Sequence, residues 1–213
     1  MARPAMVPII VTCLEVLLTN GAYRAERASA SEHPKYWQGK LQIMEIAFPE
    51  KGVEGGLTQY IYDVYQSDRA MVRRELAYMN RNPIAEVGRD VQLIDYDQGI
   101  GLAYDQGRSR AIRYHLENPG TSRPVEDRVI LGYKCTGLEN EWEDAQREKH
   151  TRQTWTATEG FRAPLLKIQY GVSRDNQLQY LIVEAMTKLE PVAFLEPFLF
   201  EPPPGLNITN GEP

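Results

Sequence analysis

Apolar and polar residues alternate with a period of two through most of this chain. The clearest stretch is Asp90–Leu116 (DVQLIDYDQGIGLAYDQGRSRAIRYHL). Val91, Leu93 and Asp95 fall on one side of an extended backbone, and Gln92, Ile94 and Tyr96 on the other. Ile100, Leu102 and Tyr104 repeat the period, as do Ile112, Tyr114 and Leu116. A two-residue period marks β-strands, because successive side chains point to opposite faces. Asp97-Gln98-Gly99 and Asp105-Gln106-Gly107 punctuate the runs. Glycine accepts positive φ without steric cost, so both triplets read as tight turns of a three-strand antiparallel meander.

The flanking segments read as more of the same sheet. Tyr36–Phe48 and Leu57–Tyr65 are strand-like, the second rich in the β-branched and aromatic residues that suit a pleated surface. Ala70–Met79 fits a strand or a helix, and its strand neighbours decide for strand. Asn80–Gly88 and Asn118–Arg128 read as loops, the latter with two prolines. Val129–Leu138 is a strand. Glu139–His150 is charged all round and reads as a short helix or an exposed hairpin arm. Gln153–Thr158, Leu165–Val172 and Leu178–Thr187 complete the strands. Glu190–Gly205 (EPVAFLEPFLFEPPPG) is apolar but interrupted by prolines, which lack the ladder donor. It is expected to be no central strand but an extended clasp, burying Phe194, Phe198 and Phe200 over a sheet face. So many strands cannot remain flat, and a long antiparallel sheet twists and curls toward a barrel. The expected fold class is therefore mainly β: a strongly curved antiparallel sheet, an incomplete β-barrel, with few short helices.

The N-terminal 30 residues differ from the rest. Arg3 precedes a twelve-residue, mostly apolar run, Val7–Leu18, which is too short to span a bilayer. Ala28-Ser29-Ala30 has the form of a signal-peptidase site. Residues 1–30 thus read as a secretory signal, and 31–213 as one domain of a periplasmic or extracellular protein. Only Cys135 then remains, in an apolar strand pattern, so no internal disulfide is expected and the thiol reads as a small buried hydrophobe. The formal charge is −5, with no long Lys/Arg run, which argues against nucleic acid as a partner. Arg73-Arg74 is a small basic spot that reads as a solvated strand face.

No nucleophile elbow, phosphate loop or dinucleotide fingerprint is present. His33, His115 and His150 lie far apart, and none has a second ligand at metal spacing, so no metal and no cofactor are expected. Asp95-Tyr96-Asp97 does not complete a calcium loop, because Gly99 and Ile100 stand where the ligand and the glycine belong; Asp97 reads as turn chemistry. Aromatic residues carry more information. Tyr60, Tyr62 and Val64 share one face, and Tyr96, Tyr104, Tyr114, Tyr133, Trp155, Tyr170 and Tyr180 add to them. They suit a cavity lined by amphipathic rings, although strands favour tyrosine in any case.

Four segments in order resemble a known family. They are Ile94–Tyr104 (IDYDQGIGLAY), Ile130–Gly137 (ILGYKCTG), Thr154–Thr156 (TWT) followed by Pro164–Lys167, and the ending Pro197–Gly205 (PFLFEPPPG). Together, over Trp37–Leu206, they resemble the extracytoplasmic lipoprotein-carrier (LolA/LolB-like) proteins, in particular a DUF4412-like branch of uncharacterised members. The resemblance implies an incomplete barrel with short lid helices. In members that are understood, the concavity carries a lipoprotein's acyl chains. The chain departs from those carriers in having few lid helices.

The expected function is therefore a non-enzymatic cell-envelope protein, not membrane-spanning, with an apolar small molecule or lipid as its partner. The cavity candidates are Tyr60, Tyr62, Val64, Tyr96, Tyr104, Tyr133, Trp155, Tyr170, Tyr180, Phe198 and Phe200. Two other classes stay open. One is an interaction module for an envelope protein, its concave face filled by its own Pro-rich tail. The other is a hydrolase, which would need a cluster of carboxylates with a histidine in a cleft.

Overall fold

The computed structural model describes residues 34–49, 54–80, 90–107, 109–116 and 120–211. The signal segment, residues 1–30, lies outside them, as does His33. Twelve strands form one sheet: β1 (Tyr36–Ala47), β2 (Gly56–Gln66), β3 (Met71–Met79), β4 (Val91–Asp95), β5 (Ile100–Tyr104), β6 (Arg110–His115), β7 (Thr121–Ile130), β8 (Tyr133–Glu143), β9 (Lys149–Ala157), β10 (Pro164–Val172), β11 (Leu178–Val192) and β12 (Asn207–Asn210). Their spatial order is β12-β6-β5-β4-β3-β2-β1-β11-β10-β9-β8-β7. Two meanders, β1 to β6 and β7 to β11, are thus joined through β1 and β11. Every pair is antiparallel except β12 with β6, which is parallel. Among the described residues the helical content is one 3-10 turn, Pro197–Phe200.

The connectivity itself demands a curl. Only five residues separate the end of β6 from the start of β7, a reach of about 22 Å at most. Laid flat, the ten spacings between those strands would measure roughly 48 Å. The sheet must therefore bend round on itself, and contacts between its halves show that it does. Gln66 of β2 donates to the carbonyl of Gly160 at 3.0 Å and accepts from the Arg162 backbone at 2.6 Å. Trp37 meets Tyr133 and Phe161 edge-on, at 5.6 and 6.4 Å.

Trp37, Leu41, Tyr60, Tyr62, Val64, Val72, Ile94, Leu165 and Met186 belong to one large core. Each fully buried large apolar side chain contributes roughly 1.5–3 kcal/mol, so this core carries the stability of the fold. Val91, Leu93, Tyr104 and Ala111 form a second, smaller cluster, joined by Met71, Leu102 and Leu206. Because neighbouring residues of a strand point to opposite faces, Leu93 and Ile94 assign the two clusters to opposite sides of the first meander. We call the side of Ile94 and Tyr62 concave and the other outer.

The meander β4–β5–β6 turns where the Gly punctuation places it, with Gly99 at φ 66° and Gly107 at φ 79°. The Asp95 carboxylate, rather than that of Asp97, closes the first turn by accepting from the backbone of Asp97 and Gln98. Three expectations need correction, and one open choice is decided. Thr121–Arg128, expected as part of a loop, is strand, the body of β7: it lies at the sheet's edge, where Pro124 costs no ladder bond on the open side and exposed charges deter further pairing. Of the two readings of Glu139–His150, the hairpin arm is the one that forms: the segment is the turn and flanks of the β8–β9 hairpin. Strand β11 runs on through Pro191, which is tolerated because only β1 pairs with that end, β10 having stopped at Ala185. The clasp does not bury its phenylalanines: Phe194 and Phe198 are 57% and 63% exposed, and of Phe194, Leu195, Phe198, Leu199 and Phe200 only Leu195 is buried.

Candidate functional site

The concave face holds a charged centre that its surroundings do not suggest. Arg74 of β3 donates from Nη1 to Glu184 Oε2 of β11 at 3.3 Å and from Nη2 to the Tyr96 hydroxyl at 3.1 Å. Lys167 of β10 pairs with the other Glu184 oxygen. Two strands, β2 and β1, lie between Arg74 and Glu184, so the pair forms only because the sheet is curled. Arg74 and Glu184 are each 9% exposed, and Arg74 Nε has no hydrogen-bond partner among the described residues.

The electrostatics follow from this packing. Burial works against the charge of Arg74, but Tyr96, Glu184, Tyr114 and Tyr62 outweigh it and hold the guanidinium above its usual range. Burial likewise pushes the Glu184 carboxyl up, yet Lys167 and then Arg74 hold it below the usual carboxylate range. Burial pushes the Tyr114 hydroxyl up to about 12, Arg74 opposing the shift, and it raises Tyr96 as well. The expected solvated face at Arg73-Arg74 is thus corrected. Arg74 stands in phase with the apolar Val72 and Leu76, so alternation alone places it on the core side.

On the outer face the chain returns after β11 as a strap, residues 193–206, before β12 pairs with β6. Arg73 points this way. Its Nη1 donates to the Leu199 carbonyl at 3.1 Å and to the Tyr104 hydroxyl at 3.2 Å, while Nε and Nη2 hold Glu75. Between strap and sheet lies a groove of about 670 Å³. Tyr104 and Arg73 line it from the sheet, Phe198, Leu199, Pro202–Pro204 and Leu206 from the strap, and Asp105, Gln106, Ser109 and Glu201 add polar groups to the lining. The expectation that the Pro-rich tail fills the concave face is therefore overturned: the tail crosses the opposite side.

The eleven candidate residues separate into groups. Tyr60, Tyr62, Val64 and Trp155 are core, at most 4% exposed. The Tyr60 hydroxyl donates to Glu45, and Trp155 Nε1 donates to the Glu126 carbonyl beneath the Arg128 guanidinium. Tyr96 serves Arg74. Tyr133 and Tyr170 are half-buried against the core. Tyr180 faces His150. Tyr104 and Phe198 line the groove, and Phe200 sits half-buried in the 3-10 turn. Cys135 is buried, as expected, and burial raises its thiol.

His115 is exposed at the end of β6, but His150 does have ligand-type neighbours. Asp144 and Glu148 of the β8–β9 turn bring a carboxylate oxygen each to within 4.8 Å of its ring nitrogen and of one another. Spacing in sequence did not reveal this, because the hairpin turn makes the juxtaposition.

No family model matches the chain, and no curated protein gives a significant match. Solved structures do. The chain is similar to an uncharacterised conserved protein from Thermus thermophilus, at 10% identity and TM-score 0.44, over 96% of this chain and 99% of that one. It is similar to a LolA superfamily protein from Nitrosomonas europaea, at 11% identity and TM-score 0.35, over 88% and 96%. A third is a domain provisionally described as an outer membrane lipoprotein-sorting protein, from Vibrio parahaemolyticus, at 9% identity and TM-score 0.36, over 78% and 89%. No helix of the described residues is long and apolar enough to cross a membrane.

Proposed function

We propose that the chain is a non-enzymatic binding protein of the cell envelope that holds an apolar ligand, such as a lipid acyl chain, in the groove beneath its strap. The observation that carries this reading is the groove itself. Its volume of about 670 Å³ lies in the range of small-molecule sites, roughly 300–1,000 Å³. Tyr104, Phe198, Leu199 and three consecutive prolines give it apolar lining, with Arg73, Asp105 and Glu201 as charged groups among them. On the concave face, Tyr60, Tyr62 and Trp155 are packed into the core and Tyr96 is bound to Arg74, so these rings are taken up by the fold. Export rests on the Val7–Leu18 run and on Ala28-Ser29-Ala30. A lipoprotein's acyl chain is the ligand that the family resemblance favours.

An environment-sensitive apolar dye should bind the folded chain one to one and be displaced by a long-chain fatty acid. Phe198→Glu should weaken dye binding at least tenfold. It should leave the denaturation midpoint nearly unchanged, because the ring is 63% exposed. A wild type that binds neither dye nor fatty acid, or a variant that binds as well as wild type, refutes the groove as the site. The exposed Phe194 and Phe198 favour a second reading, in which the strap docks onto an envelope protein.

A further inference from the structure

The β8–β9 turn assembles a side-chain cluster that the groove does not use. Asp144 organises it. Its Oδ1 accepts from the backbone of Gln146 and of Glu148, both at 2.9 Å. The Asp144 backbone N–H donates to the Glu148 carbonyl at 3.1 Å, and Arg147 takes positive φ to complete the reversal. One carboxylate oxygen thus closes the turn, and the other, Oδ2, points at His150 Nε2, 3.1 Å away.

The other two side chains are held as firmly. The His150 ring is buried and stacked between Trp142, at 5.2 Å, and Tyr180, at 5.8 Å. Its Nδ1 is 2.9 Å from the Tyr180 hydroxyl, which itself accepts from Gln169 Nε2 at 3.2 Å. Glu148 Oε1 accepts from Gln179 Nε2 at 2.8 Å. Every member therefore spends one atom on an orienting bond and keeps one for the cluster: Asp144 Oδ2, a Glu148 oxygen and His150 Nε2. Such outer hydrogen bonds, fixing ring orientation and tautomer, are what hold metal-ligating side chains in place.

We propose that Asp144, Glu148 and His150 form a site for a divalent transition-metal ion, Zn²⁺ in particular. Two atoms bound at about 2.1 Å to a tetrahedral ion lie roughly 3.4 Å apart, and the three ligand atoms here lie within 4.8 Å of one another. Small rotations of Asp144 and Glu148, which are only partly buried, close the difference. One imidazole nitrogen with two carboxylate oxygens suits zinc and its first-row neighbours, whereas calcium takes oxygen ligands only. Two carboxylates also balance the double charge of the ion. Three protein ligands leave the fourth position to water or to an incoming group.

The test uses the full chain without a histidine tag, stripped with a chelator and titrated with Zn²⁺ by calorimetry. One ion per chain should bind, with micromolar or tighter affinity, and excess Ca²⁺ should not displace it. Glu148→Gln keeps an acceptor for Gln179 and leaves the Asp144 turn intact, so the apo fold should persist while affinity falls at least tenfold. His150→Gln should fall as far, and His115→Asn should bind like wild type. Co²⁺ should quench Trp142, which stacks on His150, and Trp142→Phe should lose that quenching while still binding Zn²⁺. Absence of binding, affinity that follows His115, or quenching that survives Trp142→Phe would each overturn the site.

Discussion

Replacing Glu184 by Gln should be among the most damaging single changes on the concave face. The carboxylate neutralises Arg74, a residue only 9% exposed; glutamine keeps a hydrogen-bond acceptor beside it but, like the Tyr96 hydroxyl, is neutral, so the buried guanidinium loses the negative charge it pairs with. Lys167 can turn outward, since its side chain is 25% exposed, but Arg74 cannot. An uncompensated buried charge of this kind costs about 3–5 kcal/mol, against a typical net stability of about 5–15 kcal/mol. If that cost belongs to the stranded guanidinium, removing the guanidinium too should recover most of it. Arg74→Met/Glu184→Gln should therefore be more stable than Glu184→Gln alone, by about 2 kcal/mol, so that the losses of the two single variants are far from additive, as in one buried network. Urea denaturation of wild type, both single variants and the double variant, followed by circular dichroism, closes the cycle. A loss below about 1 kcal/mol in Glu184→Gln, or strictly additive losses, would show that the pair is not a desolvated couple. The pH dependence has a defined sign. Glu184 is held below its ordinary value, so its contribution is present above the unfolded carboxylate pKa and fades as pH falls through the folded one.

Tyr114 gives the opposite sign. Burial pushes its hydroxyl up to about 12, so the stability it contributes is present below its unfolded value of about 10 and is lost as pH rises toward 12; Tyr114→Phe should flatten that alkaline limb in denaturation midpoints measured from pH 8 to 12. The two glycines Gly120 and Gly99 both take positive φ, but a Cβ on Gly120 would press into the Glu141 carbonyl, whereas one on Gly99 meets open space. Gly99→Ala should cost about 1 kcal/mol of backbone strain and Gly120→Ala clearly more; equal thermal midpoints for the two would refute the clash.

The parts legible in the sequence are those in which local pattern and tertiary burial agree. Tyr60, Tyr62 and Val64 alternate with Ile61 and Tyr65, and the former three are the buried set. Gly99 and Gly107 mark turns because positive φ is a local demand. Strand β7 was illegible because an edge strand need not alternate, and all but two of its residues are exposed. The ionic centre was illegible for another reason: Arg74 and Glu184 are 110 residues apart, and only the curl brings them together. Arg73 and Arg74 look like one basic spot in sequence, yet as adjacent strand residues they face opposite ways and meet different partners, Leu199 and Glu184. Tyr104 lines the groove on the outer side rather than the concave face, a choice that alternation leaves open because β4 and β5 are apolar on both faces.

The seam between the two meanders bears on how the molecule comes into being. Tyr36–Ala47 pairs with Tyr180–Val192, so the middle of the sheet unites the two ends of the main domain. Each meander can assemble from neighbours in sequence. The seam cannot begin until nearly the whole polypeptide is available, and closing a loop of that length costs roughly 4 kcal/mol of chain entropy before any contact repays it. Until then β1 and β11 each present an unsatisfied inner edge, and Trp37, Leu41 and Met186 remain without the partners they bury against. A high barrier and a late commitment follow, as for other sheets dominated by distant pairings. An emerging chain is thus kept from settling into its final shape before its last long strand is available.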